Sequence, residues 1–382
     1  MHLPYGAAAV TFTDFYTRDL ARLEQAHHRR ALKTATGVDF SSNDYLGLAG
    51  SKALRDAARR GLDAGLAVGS GGARLLRGNA PEHEALEADA ARFFGCEAAL
   101  FVGSGYTANT LLFSTLPQPQ DRIFYDALVH ASAHDGMRLS RAKAEPFSHN
   151  DADAAADAIA RWRANGGTGT PFIAFETLYS MDGTAAPVAQ FAALAERVGA
   201  MLLVDEAHAV GALGPGGRGL AASLHGRGDT VVLATCGKAL GSEGALILSS
   251  EILRDFLINR GRGFIFSTAP SPLMAAVVRE SLAIVADADA ERERLKALVA
   301  KAGRVLTPLG IAPTGSHIQP VMIGDDARAM HLAAALQAKG FDVRGIRPPT
   351  VPQRTARLRL SITLNVTQQD VANLASALKE IL

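Results

Sequence analysis

Six short runs of almost unbroken apolarity, at 99–102, 122–125, 172–175, 201–204, 231–234 and 245–248, constrain this chain more than any other feature. A strand with one wet face alternates apolar and polar residues; a strand covered on both faces does not. Most of the runs are bounded by Gly, Pro, Asp or Glu, and alanine-rich helical stretches separate them. Several neighbours lie about 30 residues apart, the length of a strand–helix–strand unit. The pattern predicts an α/β protein with a mainly parallel central sheet flanked by helices. After Pro270 the character changes. A long helical run over about 273–305 is followed by an apolar segment at 318–323, a helix over about 327–339, and extended segments at 341–343 and 357–362. That order reads as a smaller α+β domain. The expected division is an N-terminal helical segment over 1–40, a large domain over 41–270 and a small domain over 271–382.

Composition closes off several classes of function. The 382 residues carry 39 Lys and Arg against 38 Asp and Glu, a net charge of +1, which argues against a nucleic-acid-binding face. Cys96 and Cys236 are the only cysteines, too few for a disulfide framework or a cysteine-rich zinc site. No apolar run reaches the ~18 residues of a membrane span, and the first residues lack the pattern of a secretion signal. The expectation is a cytoplasmic protein with no membrane partner. At the N-terminus Phe12, Phe15, Leu20 and Leu23 fall at helical spacing. The basic stretch 27–33 reads either as a solvated face or as a collar meeting an anionic substrate.

In open α/β sheets ligands bind beyond the carboxyl ends of the strands. There the sequence places Gly103, Ser104, Gly105 and Tyr106; Asp126 and His130; Glu176; Asp205, Glu206 and His208; and Thr235, Gly237 and Lys238. Asp205-Glu206-Ala207-His208 also matches the acidic box of some helicases, but no phosphate loop precedes it. His130 and His134 share a helical spacing, yet Ala131 stands where a zinc protease needs Glu and no third ligand is near, so no metal is expected. The cluster Gly69-Ser70-Gly71-Gly72 lacks the setting of a dinucleotide fingerprint and fits a loop packed against a ligand or another subunit. No nucleophile elbow is present. A lysine, a carboxylate and a phosphate cradle at one edge suit pyridoxal phosphate. The lysine forms a Schiff base with its aldehyde, the carboxylate holds its pyridine nitrogen protonated, and helix N–H groups with hydroxyls take its phosphate. Asp205 and Lys238, 33 residues apart, span one strand–helix–strand step.

With these residues in place, the chain from about Phe40 to its end resembles the α-oxoamine synthases, fold-type-I pyridoxal-phosphate transferases. The resemblance rests on 41–48 (Ser41 to Leu48), 69–72, Ser180-Met181-Asp182-Gly183, 205–208, Thr235-Cys236-Gly237-Lys238 and Phe266-Ser267-Thr268. It implies that Lys238 bonds the cofactor aldehyde, Asp205 pairs with the pyridine nitrogen, His208 bonds the phenolic oxygen and His130 stacks on the ring. Gly105, Tyr106 and Thr235 would hold the phosphate, with Ser267 and Thr268 of a second subunit, so that a homodimer shares its sites. Ser180 would lie near the cofactor and Glu176 would support it. Asn43 and Arg359 would bind the amino acid, Arg359 rather than Arg357 taking its carboxylate, while His134 and Asp182 read as structural. The family joins an amino acid to an acyl thioester. The segments 316–320 and 345–352 resemble the branch that condenses L-alanine with a pimeloyl thioester, on coenzyme A or a carrier protein, and loses carbon dioxide. Arg347 would suit the far carboxylate of the acyl chain. The alternative is another branch, such as the one joining glycine and acetyl-coenzyme A. Two departures stand out: Arg354 where the pattern usually has Gly, and Arg77-Gly78-Asn79 in place of a commoner Ser-Gly-Thr or Ser-Gly-Tyr.

Overall fold

The computed structural model describes residues 12–382, so the reading of the first eleven residues lies outside it. The strands in chain order are β1 (Val38–Asp39), β2 (Ala98–Val102), β3 (Arg122–Asp126), β4 (Lys143–Phe147), β5 (Pro171–Glu176), β6 (Met201–Asp205), β7 (Thr230–Thr235), β8 (Ala245–Ser249), β9 (Ile318–Gly324), β10 (Phe341–Asp342), β11 (Arg344–Ile346) and β12 (Ala356–Ser361). Seven form the main sheet in the order β2-β8-β7-β6-β5-β3-β4. All pair in parallel except β8, which runs antiparallel to both of its neighbours.

Both faces of this sheet are covered, which is why its strands carry no polar alternation. Ile173 and Phe175 of β5 pack into one apolar layer, Phe172 and Ala174 into the other. Val204 and Leu203 of β6 divide in the same way. The helices Pro81–Phe94, Ala152–Ala164, Val188–Val198 and Pro272–Ala286 supply the first layer, and Gly105–Thr115 and Ala131–Leu139 supply the second. Among the described residues no helix is long and apolar enough to cross a membrane.

Two elements depart from expectation. The strand β4 went unread because it is an edge strand whose Lys143, Ala144 and Pro146 are exposed, so no apolar run marks it. The helical run over 273–305 is two helices, Pro272–Ala286 and Asp289–Leu306, broken at Asp287 and Ala288. The first packs on the helices Lys52–Asp63 and Pro81–Phe94, the second on Gln368–Ile381, and one straight rod cannot serve both.

The C-terminal part carries a three-stranded antiparallel sheet in the order β11-β12-β9. The extended segment at 341–343 splits away from it: β10 pairs in parallel with β1 instead. Phe40 O accepts the N–H of Ser361 at 2.9 Å, and Tyr45 O accepts that of Leu364 at 3.0 Å. The segment 38–45 is therefore fastened to the C-terminal part, while the Tyr45 hydroxyl at its end reaches His208 beyond the carboxyl edge of the main sheet. The helix Asp14–Gln25 buries none of its residues, and of the basic stretch His28 meets Asp326 at 2.7 Å.

Candidate active site

The carboxyl edge of the main sheet gathers Glu176 from β5, Asp205 from β6 and Lys238 three residues past β7. Asp205 is held on both oxygens: Asn109 Nδ2 donates to Oδ2 at 2.8 Å and the N–H of Ala207 to Oδ1 at 2.9 Å. Lys238 Nζ lies 2.8 Å from Nε2 of His208. Burial pushes this lysine down to about 8, while Asp205 and Glu176 pull the other way. Burial, and then repulsion from Asp205, hold the Glu176 carboxyl well above the usual range, and its Oε1 has no partner. Glu206, next to Asp205, turns away from this edge. It accepts the N–H of Ala221 at 2.9 Å and is pushed up to about 7, chiefly by burial.

His130 caps the helix Ala131–Leu139. Its Nδ1 accepts the N–H of Ser132, and burial lowers its pKa against the pull of Asp205. Asp126 is drawn off to a turn, where it holds His149 and the N–H groups of Leu128 and Asn150. His134 packs edge-on against Tyr125. On the other side of the edge, Ser104 caps the helix Gly105–Thr115 by accepting the N–H of Thr107 at 3.0 Å. The opening N–H groups of that helix, at Gly105 and Tyr106, have no intrahelical acceptor. A Cβ on Gly105 would stand 3.5 Å from Thr235 Oγ1, so a side chain there would crowd the space these donors share with that hydroxyl. The Tyr106 ring itself points outward and bonds Asp135.

Arg357 and Arg359 reach different places. Arg357 pairs with Asp182 at 2.5 Å, closing the turn at Gly183, whose φ is +66°. Arg359 donates to Asn43 Oδ1 at 2.9 Å, Ser361 Oγ at 2.7 Å and the carbonyl of Ser180 at 2.6 Å. Arg347 is buried apart from this group: it donates to the carbonyl of Arg29 and touches Met330, and its Nε has no partner. Arg354 has a φ of +61°, which explains why glycine is usual at that position.

The glycine cluster packs on the segment after Phe266. Ser70 Oγ donates to Ala269 O at 2.7 Å, Ala269 N–H donates to Gly72 O at 2.9 Å, and Ala73 bridges to Thr268. Ser267 and Thr268 are exposed, and around them Phe266, Leu75, Leu76 and Val68 present apolar surface. Sequence reasoning gave no role to three residues that shape the site. Tyr45 and His317 stood only inside the family motifs at 41–48 and 316–320, and Asn109 was not singled out. Only tertiary contact reveals them: the Tyr45 ring lies 3.9 Å from that of His317, and its hydroxyl reaches Nδ1 of His208 at 2.6 Å.

The donor set suits a phosphorylated pyridine aldehyde. It combines an amine of lowered basicity, an anchored carboxylate, an imidazole at a helix cap and helix-start N–H groups without an intrahelical acceptor. The chain matches the family model for aminotransferase class I and II over residues 35–378. An 8-amino-7-oxononanoate synthase of Anaeromyxobacter dehalogenans is 44% identical over 351 residues, covering 90% of this chain and 86% of that one. The protein of the same name from Chromobacterium violaceum is 43% identical over 330 residues, covering 85% and 84%. Among solved structures, a serine palmitoyltransferase from S. paucimobilis with a bound PLP–myriocin adduct superposes with a TM-score of 0.88 at 25% identity, covering 98% of each chain. An 8-amino-7-oxononanoate synthase from Francisella tularensis gives 0.75 at 26% identity, covering 90% and 97%. Shape is thus shared across acyl specificities, while identity is greater toward one of them. The chain belongs to the aminotransferase class I and II family and, with these relatives, to its α-oxoamine synthases.

Proposed function

We propose that this chain condenses L-alanine with a pimeloyl thioester, releasing the thiol and carbon dioxide, to form 8-amino-7-oxononanoate for biotin biosynthesis, with pyridoxal phosphate as its cofactor. The observation that carries the reading is the convergence of Lys238, Asp205 and His208 at one sheet edge. It occurs in a chain 44% identical to a protein named for that product.

Bound pyridoxal phosphate supplies an aldehyde for an amine and a ring that accepts the electron pair left when the α-proton of alanine departs. The residues would hold it as follows: Lys238 at the aldehyde, Asp205 at the pyridine nitrogen, His208 at the phenolic oxygen, His130 against the ring face, Gly105, Tyr106 and Thr235 at the phosphate, and Ser180 close to the cofactor. Lys238 is the base. Its lowered basicity leaves a useful fraction uncharged near neutral pH, and its burial keeps water from the proton it takes. Arg359 and Asn43 orient the alanine carboxylate; the guanidinium still has N–H groups to offer beyond its internal bonds. Burial and repulsion from Asp205 hold the Glu176 carboxyl well above the usual range, which disfavours a second negative charge beside Asp205. Arg347 is the cation proposed for the far carboxylate of the acyl chain. The site is completed by a second copy of the chain, whose Ser267 and Thr268 reach the phosphate. The exposed apolar rim around those residues supports such a contact.

The test is the mass of the product formed from L-alanine with pimeloyl thioesters of coenzyme A and of a carrier protein, beside glycine with acetyl-coenzyme A. A product from the glycine pair alone would place the chain on the other branch.

A further inference from the structure

Between Arg359 and Lys238 runs a single file of polar atoms. Asn43 Oδ1 can only accept, and it takes an N–H of Arg359 at 2.9 Å and the O–H of Tyr45 at 3.0 Å. With its one proton committed, Tyr45 Oη faces Nδ1 of His208 at 2.6 Å as an acceptor, so Nδ1 carries the hydrogen. Nε2 is then a bare lone pair, and it faces Nζ of Lys238 at 2.8 Å, which has hydrogens to give in either charge state. From lysine to asparagine every bond runs the same way, and Arg359 closes the far end by donating to Asn43 Oδ1, with Tyr45 Oη 3.5 Å from the same nitrogen. The opposite tautomer would take the Tyr45 proton for Nδ1 and break the bond from Tyr45 to Asn43, leaving both oxygens to a single Arg359 nitrogen at 2.9 and 3.5 Å.

The choice is binary because the ring is neutral. Burial drives His208 well below the ordinary imidazole range, and Lys238, Arg359, His317 and His130, the charged or titratable groups around it, push the same way. Tyr45 keeps its proton, pushed up to about 12 by burial. The backbone is braced as well: His317 Nε2 donates to His208 O at 2.9 Å.

We infer that Tyr45 is a positioning residue: its hydroxyl, oriented by Asn43, decides which nitrogen of His208 bears the proton and so presents Lys238 with an acceptor. The catalytic consequence rests on the function proposed above; the tautomer is a property of the protein alone.

The test uses the full-length chain, stripped of cofactor and labelled with ¹⁵N-histidine, with His208→Gln to identify the resonances. The wild type shows Nδ1 protonated and Nε2 bare. Tyr45→Phe keeps the ring against His317 but exchanges the two signals, since a buried Nδ1–H would have no acceptor. 3-Fluorotyrosine at position 45 keeps the wild-type pattern. Asn43→Ala, which frees the hydroxyl proton for Nδ1, gives the same exchange as Tyr45→Phe and serves if that variant does not fold. In the exchanged state Lys238 loses the acceptor for its charged form, so the pH midpoint for its capture of pyridoxal phosphate falls, by about tenfold in acid constant. A wild type protonated on Nε2, or a folded Tyr45→Phe with unchanged signals, overturns the proposal. An exchange of signals in a chain that fails the product assay would leave the tautomer assignment standing and remove only its catalytic meaning.

Discussion

Arg357 and Arg359 stand two positions apart on one strand, yet the first spends its charge on Asp182 and the second on Asn43. Replacing each by lysine separates the two roles, because lysine keeps the charge and loses the planar fork. Arg359→Lys is expected to raise KM for alanine about tenfold or more, with a smaller change for the thioester. Arg357→Lys is expected to cost about 1–3 kcal/mol of stability, read by denaturant unfolding, with alanine affinity nearly unchanged. A larger alanine effect at Arg357 would show that the wrong arginine has been given the substrate.

Lys238 carries a pH signature. A lysine lowered to about 8 has its free amine in hand once pH passes that value, whereas an ordinary lysine keeps gaining it to beyond 10. The initial rate at which the cofactor-free chain forms a borohydride-trappable adduct with pyridoxal phosphate should climb from pH 6.5 and level off above about pH 8. Peptide mapping should place the label on Lys238. A rate still climbing at pH 10 would contradict the lowered basicity. Lys238→Ala should reduce turnover by at least ~10²–10⁴-fold.

At Asp205 the expected outcome is loss of chemistry without loss of cofactor. Asp205→Asn preserves shape, and the donors at Gly105, Tyr106 and Thr235 are untouched. Pyridoxal phosphate should still bind, while deuterium exchange at the α-carbon of alanine falls by about 10²-fold or more, the scale of one lost electrostatic stabiliser. Near-normal exchange would mean that another group protonates the ring.

Arg354 offers a test of backbone strain away from the chemistry. Its φ of +61° is open to glycine and costs other residues about 1–2 kcal/mol. Arg354→Gly should be neutral or stabilise by up to about 1 kcal/mol, the relief being partly offset by the freedom glycine gains when unfolded. Arg354→Val, β-branched, should destabilise by more than about 1 kcal/mol. Paired thermal melts decide it; a valine variant as stable as wild type would refute the strain.

The proposed sharing of the site between two chains predicts complementation. Lys238→Ala removes the amine, and Thr268→Asp sets a carboxylate against the phosphate, a repulsion that grows where water is scarce. Each variant alone should be inactive. In a mixed dimer one site carries both lesions and the other carries neither, so co-refolding should restore part of the activity. Mixed dimers confirmed by mass but without recovered activity would mean that both residues serve one site from one chain.

The sheet was legible because β2, β3, β5, β6, β7 and β8 are buried on both faces and so lack polar alternation. The strand β4 was not, since an edge strand with an exposed Lys143 and Pro146 carries no such run. Nor does apolarity encode direction, which is why β8 gave no sign of running backwards. Strand-end positions exposed Asp205 and Lys238, because a charged residue closing a buried strand has few reasons to be there. Tyr45 gave no such sign: an aromatic ring in a buried loop looks the same in sequence whether its hydroxyl is idle or bonded to His208, 163 positions away.

The pairing of β1 with β10 sets an order of assembly during synthesis. All seven strands of the main sheet have been made once Ser249 has left the ribosome, and Asp205 and Lys238 can then be close to their final places. The segment 38–45, made long before, must wait for partners at Asp342, Ser361 and Leu364, and Asn43 within it for Arg359. A nascent chain that ends before Asp342 thus carries the lysine without the corner formed by Asn43 and Tyr45. The newest segment of the polypeptide has to return to one of the oldest before the lysine is set for use.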